Sequence, residues 1–569
     1  MKQVFYNGNL FTSDRACLYA DTMVVENGRI LWIGQEQDCE FLRDPAMSGT
    51  SAEKLERIDL KGQTVIPGII DAHMHPTTLA ECASQIACLP PEIHSIAELQ
   101  EKIRDVRKRL IANFGAAEDD RKDFSWILGW GYDEGKFTEE RSPNRYDLDA
   151  ASPDLPVCLM RSCEHIRCAN SAALRIAGIT RDTPDPQGGE IERDDSGEPT
   201  GILKENAQDL LIPFLPELTE EILIRELLAL GELLASQGIT GVADMGNLLG
   251  GDNLPLYRRA AEAGLRQRVA VYQMWDYIHD DPEFTITPED RDPDAQIRAA
   301  GLKLLGDGSI AGRTAWVREP YLGTEDYGIP VCSDELLASA VRFAAEHDCQ
   351  LSVHAMGGRA IERTLRYVLR EEEWVRRGAL NCSVGAEPLP FRIPSVRIEH
   401  VTEPDAEAIR KAAETGIAFV SQPIFEYCEI ETYRKNFSGE RLRKAYPHRT
   451  ILENGVKLAL STDAPSTSWA VPSDPFANLK SAIMRIAYDG TDIGQEERID
   501  TETAVILYTK EAAEVSGLAG SGMLRKGYRA DFAILSDNIF TNDPMQIDET
   551  QVVETWIGGE RVYCREAQR

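Results

Sequence analysis

The feature that most constrains this chain is a regular alternation, across its middle, of short apolar runs with amphipathic stretches. The amphipathic stretches, such as TEEILIRELLALGELLAS (219–236) and DELLASAVRFAAEH (334–347), carry apolar residues at three- and four-residue spacing and predict helices. The apolar runs are typical of buried strands, and there are eight of them: PGIIDAHMH (67–75), GITGVADM (238–245), RVAVYQMW (268–275), LKLLGDGS (302–309), LSVHAMGG (351–358), RIEHV (397–401), IAFVSQP (417–423) and LALSTDAP (458–465). Eight strands separated by helices are the number that a (β/α)8 barrel requires, so the sequence predicts an α/β fold whose TIM barrel spans residues 68–514.

The two ends of the chain carry a different pattern, of short strands separated by turns. In the N-terminal part, Asn7-Gly8 and Asn27-Gly28 are hairpin signals between apolar runs, and Gly558-Gly559 marks a turn in the C-terminal part. Neither end has enough strands to bury a core alone. The sequence therefore predicts one small β-sandwich domain built from residues 1–67 and 515–569.

A long segment between the first two predicted barrel strands, about residues 77–220, exceeds a plain strand-to-helix connection. It contains strand-like runs of its own, FSWILGWGY (124–132) and DLPVCLMR (154–161). It also contains a stretch rich in Pro, Asp and Gly that is typical of a loop or hairpin, TRDTPDPQGGEIERDDSGEPTG (180–201). We therefore expect an inserted α/β subdomain.

The formal net charge of −33 disfavours polyanionic partners, so we expect neither a nucleic acid nor a membrane surface as partner. Such a charge also keeps a protein soluble, which explains it without any partner. The N-terminal MKQVFYNGNLF lacks the basic flank and apolar run of a signal peptide, and no apolar run reaches the about 18 residues of a membrane span. The sequence predicts a cytoplasmic protein that acts on a small molecule, and it leaves open whether the chain forms a homo-oligomer.

The chain has nine histidines, and four of them lie at the ends of predicted barrel strands. His73 and His75 are two residues apart on one strand, so both imidazoles face the same side. His354, His400 and Asp463 end three further strands, at the rim where barrel enzymes carry their active sites. One such histidine alone is explained by packing, but four with an aspartate at one rim are not. The pattern predicts a divalent-metal site.

These residues resemble the amidohydrolase superfamily, whose pattern is HxH on the first strand, a bridging group on the fourth, His on the fifth and sixth, and Asp on the eighth. The run GQTVIPGIIDAHMHP (62–76) is similar to that superfamily's entry into the barrel. Further stretches resemble the branch that includes N-substituted formamide deformylase and the YtcJ-like hydrolases: GWGYDE (129–134), SCEHIRCANSAAL (162–174), GILKENA (201–207) and LKLLGDGSIAGRTA (302–315). The resemblance covers nearly the whole chain.

The resemblance implies that Lys303, on the fourth strand, is the bridging ligand. An ammonium group would carry positive charge toward the metal, so a ligand role implies a carbamate, N6-carboxylysine, at Lys303. His73, His75 and Asp463 would then hold one ion, and His354 and His400 would hold a second. The metal that we expect is zinc. The alternative is a plain lysine paired with Asp307 beside a single ion.

Three residues are candidate substrate contacts. In the family branch the segment at His165 usually reads DGH before an aromatic residue and Asn-Ser, whereas here it reads CEH, and His165 either faces the substrate or is structural. Arg313, which follows the fourth strand, either binds a polar substrate group or is solvated or ion-paired. Trp130 either walls an apolar pocket or belongs to an ordinary core.

The function that follows is hydrolysis of a carbon–nitrogen bond, in an amide, formamide or cyclic amide, by a metal-activated water. Asp463 would take the proton of the water and deliver it to the leaving nitrogen. A deaminase or lactonase on the same scaffold is the first alternative. The resemblance disfavours a deaminase, because deaminases of the superfamily tend to lack a lysine at the position of Lys303. A non-catalytic regulatory protein is the second, although the predicted ligands are all intact.

Overall fold

The structure is a computed structural model that describes residues 2–43, 55–83, 85–114, 126–162, 166–187, 189–216, 219–246, 251–281, 283–378, 383–384, 387–388 and 392–565. The chain divides into two compact units. The first unit comprises Met1–Pro76, Leu227–Ala464 and Ser473–Arg569, and the second comprises Thr77–Glu226 and Pro465–Pro472.

Eight parallel strands form the centre of the first unit, as the apolar runs predicted. In chain order they are β1 (Ile69–Met74), β2 (Ile239–Asp244), β3 (Arg268–Met274), β4 (Ile297–Leu305), β5 (Gln350–Ala355), β6 (Val396–His400), β7 (Ala418–Ser421) and β8 (Leu458–Leu460), and each pairs with the next. Beyond the end of β8, the backbone N–H of Asp463 donates to the His73 carbonyl, and the N–H of His75 donates to the Ala464 carbonyl. These two bonds join the last strand to the first, so the TIM barrel is confirmed.

The helices around the barrel follow from the amphipathic stretches. Both predicted helices are present, at Glu220–Ser236 and Asp334–Glu346. The second begins where the Ser333 side chain accepts a hydrogen bond from the Leu336 N–H, as an N-cap does. Other helices lie at Leu254–Ala263, Trp275–Ile278, Gly358–Val368, Glu372–Arg377, Ala406–Thr415, Ile424–Cys428, Ile430–Asn436, Gly439–Lys444, His448–Glu453, Pro475–Met484, Thr501–Leu507 and Lys510–Ser516.

The two ends of the chain form two sheets that pack on each other as a β-sandwich. One sheet contains Arg29–Gly34, Thr22–Glu26, Lys2–Tyr6 and Leu55–Asp59, in that order, and the other contains Glu560–Cys564, Val552–Ile557, Phe532–Leu535, Thr64–Pro67, Asn9–Phe11 and Tyr19–Ala20. Between them the ring of Phe5 meets the rings of Phe532 and Trp556 edge-on, at centroid distances of 5.1 and 5.0 Å. The core therefore needs both termini.

Two of the three predicted hairpin turns are confirmed, and one is wrong. Asn27-Gly28 joins antiparallel strands in which Glu26 faces Arg29, and Gly558-Gly559 joins strands in which Ile557 faces Glu560. At Asn7-Gly8 the strands on either side lie in different sheets. Asn7 has φ of 56°, in the left-handed region that the dipeptide favours. The turn, however, leads from one sheet of the sandwich to the other.

The second unit has its own sheet and core. Its strands run in the order Gly189–Arg193, Pro199–Glu205, Ile166–Ala169, Val157–Arg161, Ile127–Tyr132 and Ile86–Ala87, and its helices include Pro76–Ala83, Ile96–Phe114, Arg145–Asp149 and Ser171–Ile176. Both strand-like runs predicted there are strands, and the Pro-rich stretch contains an antiparallel pair. None of the helices in the part of the chain described above is long and apolar enough to cross a bilayer.

Candidate metal centre

The strand ends of the barrel bring the predicted ligands together. His73 lies in β1 and His75 just beyond it, His354 lies in β5, His400 is the last residue of β6, and Asp463 follows β8. Asp463 Oδ1 is 3.3 Å from His73 Nε2 and 3.3 Å from His75 Nε2, and Asp463 Oδ2 is 3.9 Å from His400 Nδ1. The ring of His354 lies 4.3 Å from that of His400, centroid to centroid. One ligand atom each from His73, His400 and Asp463 lies within 4.8 Å of the others.

Lys303 is buried in β4, and its Nζ lies 3.4 Å from His73 Nε2. It therefore reaches the same cluster. Among the described residues Asp307 makes no ion pair with it; the Asp307 carboxylate accepts hydrogen bonds from the backbone N–H groups of Trp316, Met356 and Gly357. Burial lowers the pKa of Lys303 to about 8, so its amine loses a proton more readily than that of an exposed lysine.

Each histidine has one ring nitrogen engaged outside the cluster. Nδ1 of His73 is 2.6 Å from Glu399 Oε2, Nδ1 of His75 is 3.2 Å from the Gly246 carbonyl, and Nδ1 of His400 is 2.8 Å from Gln422 Oε1. These partners leave Nε2 of all three rings for a metal. In His354 the roles are exchanged, because Nε2 is 3.0 Å from the Gly308 carbonyl and Nδ1 is left. Engagement of the second nitrogen is the usual way in which a protein fixes the tautomer and orientation of a metal-binding histidine.

Two atoms of the cluster lack the partner that burial requires. His400 Nε2 and Asp463 Oδ1 are buried and have no hydrogen-bond partner among the residues that the structure describes. A buried polar group without a partner costs about 1–3 kcal/mol, so such pairs of atoms call for an explanation. Imidazole nitrogens and a carboxylate oxygen are the donor set of zinc and similar divalent cations. The residues present therefore fit a divalent metal.

The backbone at two candidate ligands adopts an uncommon conformation. His400 has φ of 70° and Asp463 has φ of 60°, and Val401, a β-branched residue, has φ of 48°. Non-glycine residues at positive φ are uncommon and cost about 1–3 kcal/mol each. Glu399 and His400 are neighbours on a strand and would ordinarily face opposite sides. The left-handed turn at His400 is what allows both side chains to face the cluster.

The electrostatics of the site favour the protonation state that metal binding needs at three of the predicted ligands, His354, His400 and Asp463. Burial and the charge of Lys303 lower the pKa of His354 to about 4, and burial and the neighbouring histidines lower the pKa of His400 well below its ordinary value. Burial alone would raise the pKa of Asp463, but the neighbouring His73 and His75 lower it well below its ordinary value. The imidazoles of His354 and His400 and the carboxylate of Asp463 are therefore ready to ligate without first losing protons. At His75 burial alone would lower the pKa, but Asp463 raises it, so this ring would lose its proton on binding a metal.

Glu399 is a site residue that the sequence analysis did not identify. It is fully buried; burial alone would raise the pKa of its carboxyl, but the charge of Arg397 and then that of His73 lower it well below the ordinary value. The signal in the sequence is the spacing of Arg397 and Glu399, two apart on β6, which places both on the same side of the strand. Charged residues on a strand that is buried throughout need charged or hydrogen-bonding partners. Such residues therefore predict a polar cluster in the barrel interior.

The three predicted substrate contacts stay predictions. His165 lies outside the described residues. Arg313 is exposed at φ of 57°, and its Nε donates to Asn436 Oδ1 over 2.7 Å. Trp130 is buried within the second unit, in an apolar cluster with Cys82 and Leu89.

Comparison with known proteins shows which family the chain resembles in sequence and in structure. The profile of the family described as "Amidohydrolase family" matches residues 56–563. The chain is 28% identical over 580 residues to "Putative amidohydrolase YtcJ" of Bacillus subtilis (strain 168), covering 99% of each chain. It is 28% identical over 582 residues to "N-substituted formamide deformylase" of Arthrobacter pascens, covering 98% of each. A solved structure of an uncharacterized metal-dependent hydrolase from Pyrococcus furiosus superposes with a TM-score of 0.69 at 25% identity, covering 96% of this chain and 100% of that one.

Proposed function

This chain belongs to the amidohydrolase family, and from that premise we propose that it is a metal-dependent hydrolase of a carbon–nitrogen bond, other than a peptide bond, in a small molecule. The observation that carries the proposal is the convergence of Asp463 Oδ1 with the Nε2 atoms of His73 and His75, beside an unpartnered His400 Nε2, in the barrel interior. A structural cluster would satisfy these buried atoms within the protein. The intact donor set also argues against a non-catalytic regulatory protein.

Asp463 is the group that we propose to move the proton. A divalent cation held by these residues would lower the pKa of a water molecule and polarise a carbonyl. Asp463 presents one carboxylate oxygen to His73 and His75 and the other toward His400. Its lowered pKa keeps it ionised at neutral pH, and in this position it would accept the proton of the attacking water and pass it to the leaving nitrogen.

We also propose that Lys303, as a carbamate, would be the ligand shared by two ions. The neutral amine would add to the carbon of carbon dioxide, forming an N–C bond as one C=O π bond opens, and it would release one proton to solvent, so that the neutral amine becomes a carbamate anion with two oxygens. Support comes from the position of Nζ, 3.4 Å from His73 Nε2, and from burial, which raises the neutral fraction of the amine. His73, His75 and Asp463 would hold one zinc ion, and His354 and His400 would hold the second. The carbamate would be shared by both.

The substrate class that we propose is the N-substituted formamide, with other amides and cyclic amides as broader members. The support is the full-length similarity to the deformylase of Arthrobacter pascens. Within this proposal Arg313 contacts a polar group of the substrate. A formamide has a small acyl part, so specificity would lie in the pocket for the amine substituent.

A substrate screen tests the proposed function. Protein reconstituted with zinc is expected to release formate or another carboxylate from N-formyl amines, N-acyl amino acids or cyclic amides, and to lose that activity when a chelator removes the metal. Product analysis by chromatography distinguishes the alternatives. Hydrolysis of lactones alone, or release of ammonia from an amino heterocycle alone, would contradict amide hydrolysis and favour the lactonase or the deaminase.

A further inference from the structure

We propose that the buried pair Arg397 and Glu399 is a positioning device for His73, which fixes the His73 ring with the lone pair of Nε2 directed to the metal site. This inference rests on the proposed metal-dependent function. It assigns to two residues of β6 a role in the affinity of the site for metal, although neither is a ligand.

The Glu399 carboxylate is saturated with donors. Oε1 accepts from Ser352 Oγ at 2.8 Å and from Arg397 Nε at 2.5 Å, and Oε2 accepts from Arg397 Nη2 at 2.9 Å and meets His73 Nδ1 at 2.6 Å. An ionised carboxylate only accepts hydrogen bonds. His73 must therefore carry its hydrogen on Nδ1, and the Nε2 lone pair is left beside Asp463 and Lys303.

Arg397 fixes the carboxylate and the backbone together. Its guanidinium donates hydrogen bonds to the Glu399 carboxylate from Nε and Nη2. Nη2 also donates to the carbonyl of Ala72, the residue before His73. Nη1 donates to the Tyr272 hydroxyl at 3.2 Å, and that hydroxyl donates to Gln350 Oε1. The network thus holds the ring of His73 from one side and its main chain from the other.

The simplest competing explanation is that the pair only stabilises the barrel. A buried ion pair is weak support for that role, because removing two charges from water costs as much as or more than their attraction returns. The first unit contains a second buried pair for comparison, in which Arg485 Nη1 lies 2.9 Å from Glu426 Oε2 and both side chains are fully buried. None of the contacts described for the Glu426 carboxylate involves a metal-ligand candidate.

The test compares Glu399→Gln with its matched control Glu426→Gln. Each change replaces one buried carboxyl group of an Arg–Glu pair by an amide of similar size. Zinc dissociation constants are measured on metal-depleted full-length protein by competition with a chromophoric chelator, and thermal unfolding is followed in parallel. We expect zinc to bind about 10–100-fold more weakly to Glu399→Gln, because the glutamine amide no longer enforces the Nδ1–H tautomer, and equally well to Glu426→Gln even if that variant melts earlier.

Two results would overturn the proposal: a folded Glu399→Gln variant with the zinc affinity of the wild type, or an equal loss in both variants. If Glu399→Gln does not fold, Ser352→Ala removes one donor to the same carboxylate, and it must weaken zinc binding measurably for the proposal to survive. Failure of the proposed function is a distinct outcome, because then the wild-type protein itself would not bind zinc.

Discussion

Replacing Asp463 by asparagine is expected to lower kcat by about 100- to 10,000-fold, the range that a positioned proton carrier contributes. Asparagine keeps the size and shape of the side chain, so the left-handed backbone at φ of 60° and the closure of the barrel at this position are retained. What disappears is the negative charge between His73 and His75 and the ability to accept a proton. Steady-state rates on an amide substrate found by the screen, with circular dichroism for the fold, provide the measurement.

A matched control is available in Asp474→Asn. Asp474 is partly buried and caps the helix Pro475–Met484 by accepting from the Phe476 N–H, and asparagine caps helices as well as aspartate does. This variant should keep both fold and rate. Wild-type turnover in Asp463→Asn would remove Asp463 as the proton carrier.

Lys303→Ala is the second change with a large expected effect. If a carbamate on Lys303 bridges two ions, alanine removes the shared ligand and several kcal/mol of charge stabilisation, which corresponds to a rate loss of about 100-fold or more. The variant should also bind less metal. Added formate, acetate or propionate should restore part of the rate, because a short carboxylate supplies the two missing oxygens in the space that the side chain leaves.

Lys480→Ala serves as the control for the loss of a lysine. Lys480 Nζ pairs with Asp548 Oδ2 at 2.8 Å and has no place in the site, so this variant should keep its rate and should not respond to carboxylates. Normal rates and full metal occupancy in Lys303→Ala would contradict the bridging role and leave Lys303 as a plain buried lysine.

The barrel could be predicted from the sequence because of how its strands are buried. A parallel strand covered on both faces produces a continuous apolar run, and each of the eight runs marks one strand. The hairpin signals were less informative. Asn7-Gly8 and Asn27-Gly28 both determine local φ, yet which sheet receives the next strand depends on residues far away, including Phe532 and Trp556 at the other end of the chain.

The candidate ligands could also be anticipated, because position at the end of a barrel strand and spacing of two within β1 are visible in the sequence. Glu399 was missed for a physical reason. Its contact with His73 joins residues 326 positions apart, and neighbours on a strand are expected to face opposite sides. The left-handed turn at His400, which cancels that expectation, has no signature in the residue types.

Metal content measured on the wild-type protein tests the central claim most directly. The protein is expressed with zinc in the medium, dialysed into metal-free buffer and analysed by inductively coupled plasma mass spectrometry. The account predicts about two equivalents of divalent metal per chain, as in two-metal hydrolases, and their loss in a variant lacking His73 and Asp463. A folded wild-type protein that retains no metal, and gains none when zinc is added, would contradict the claim that these residues form a metal centre.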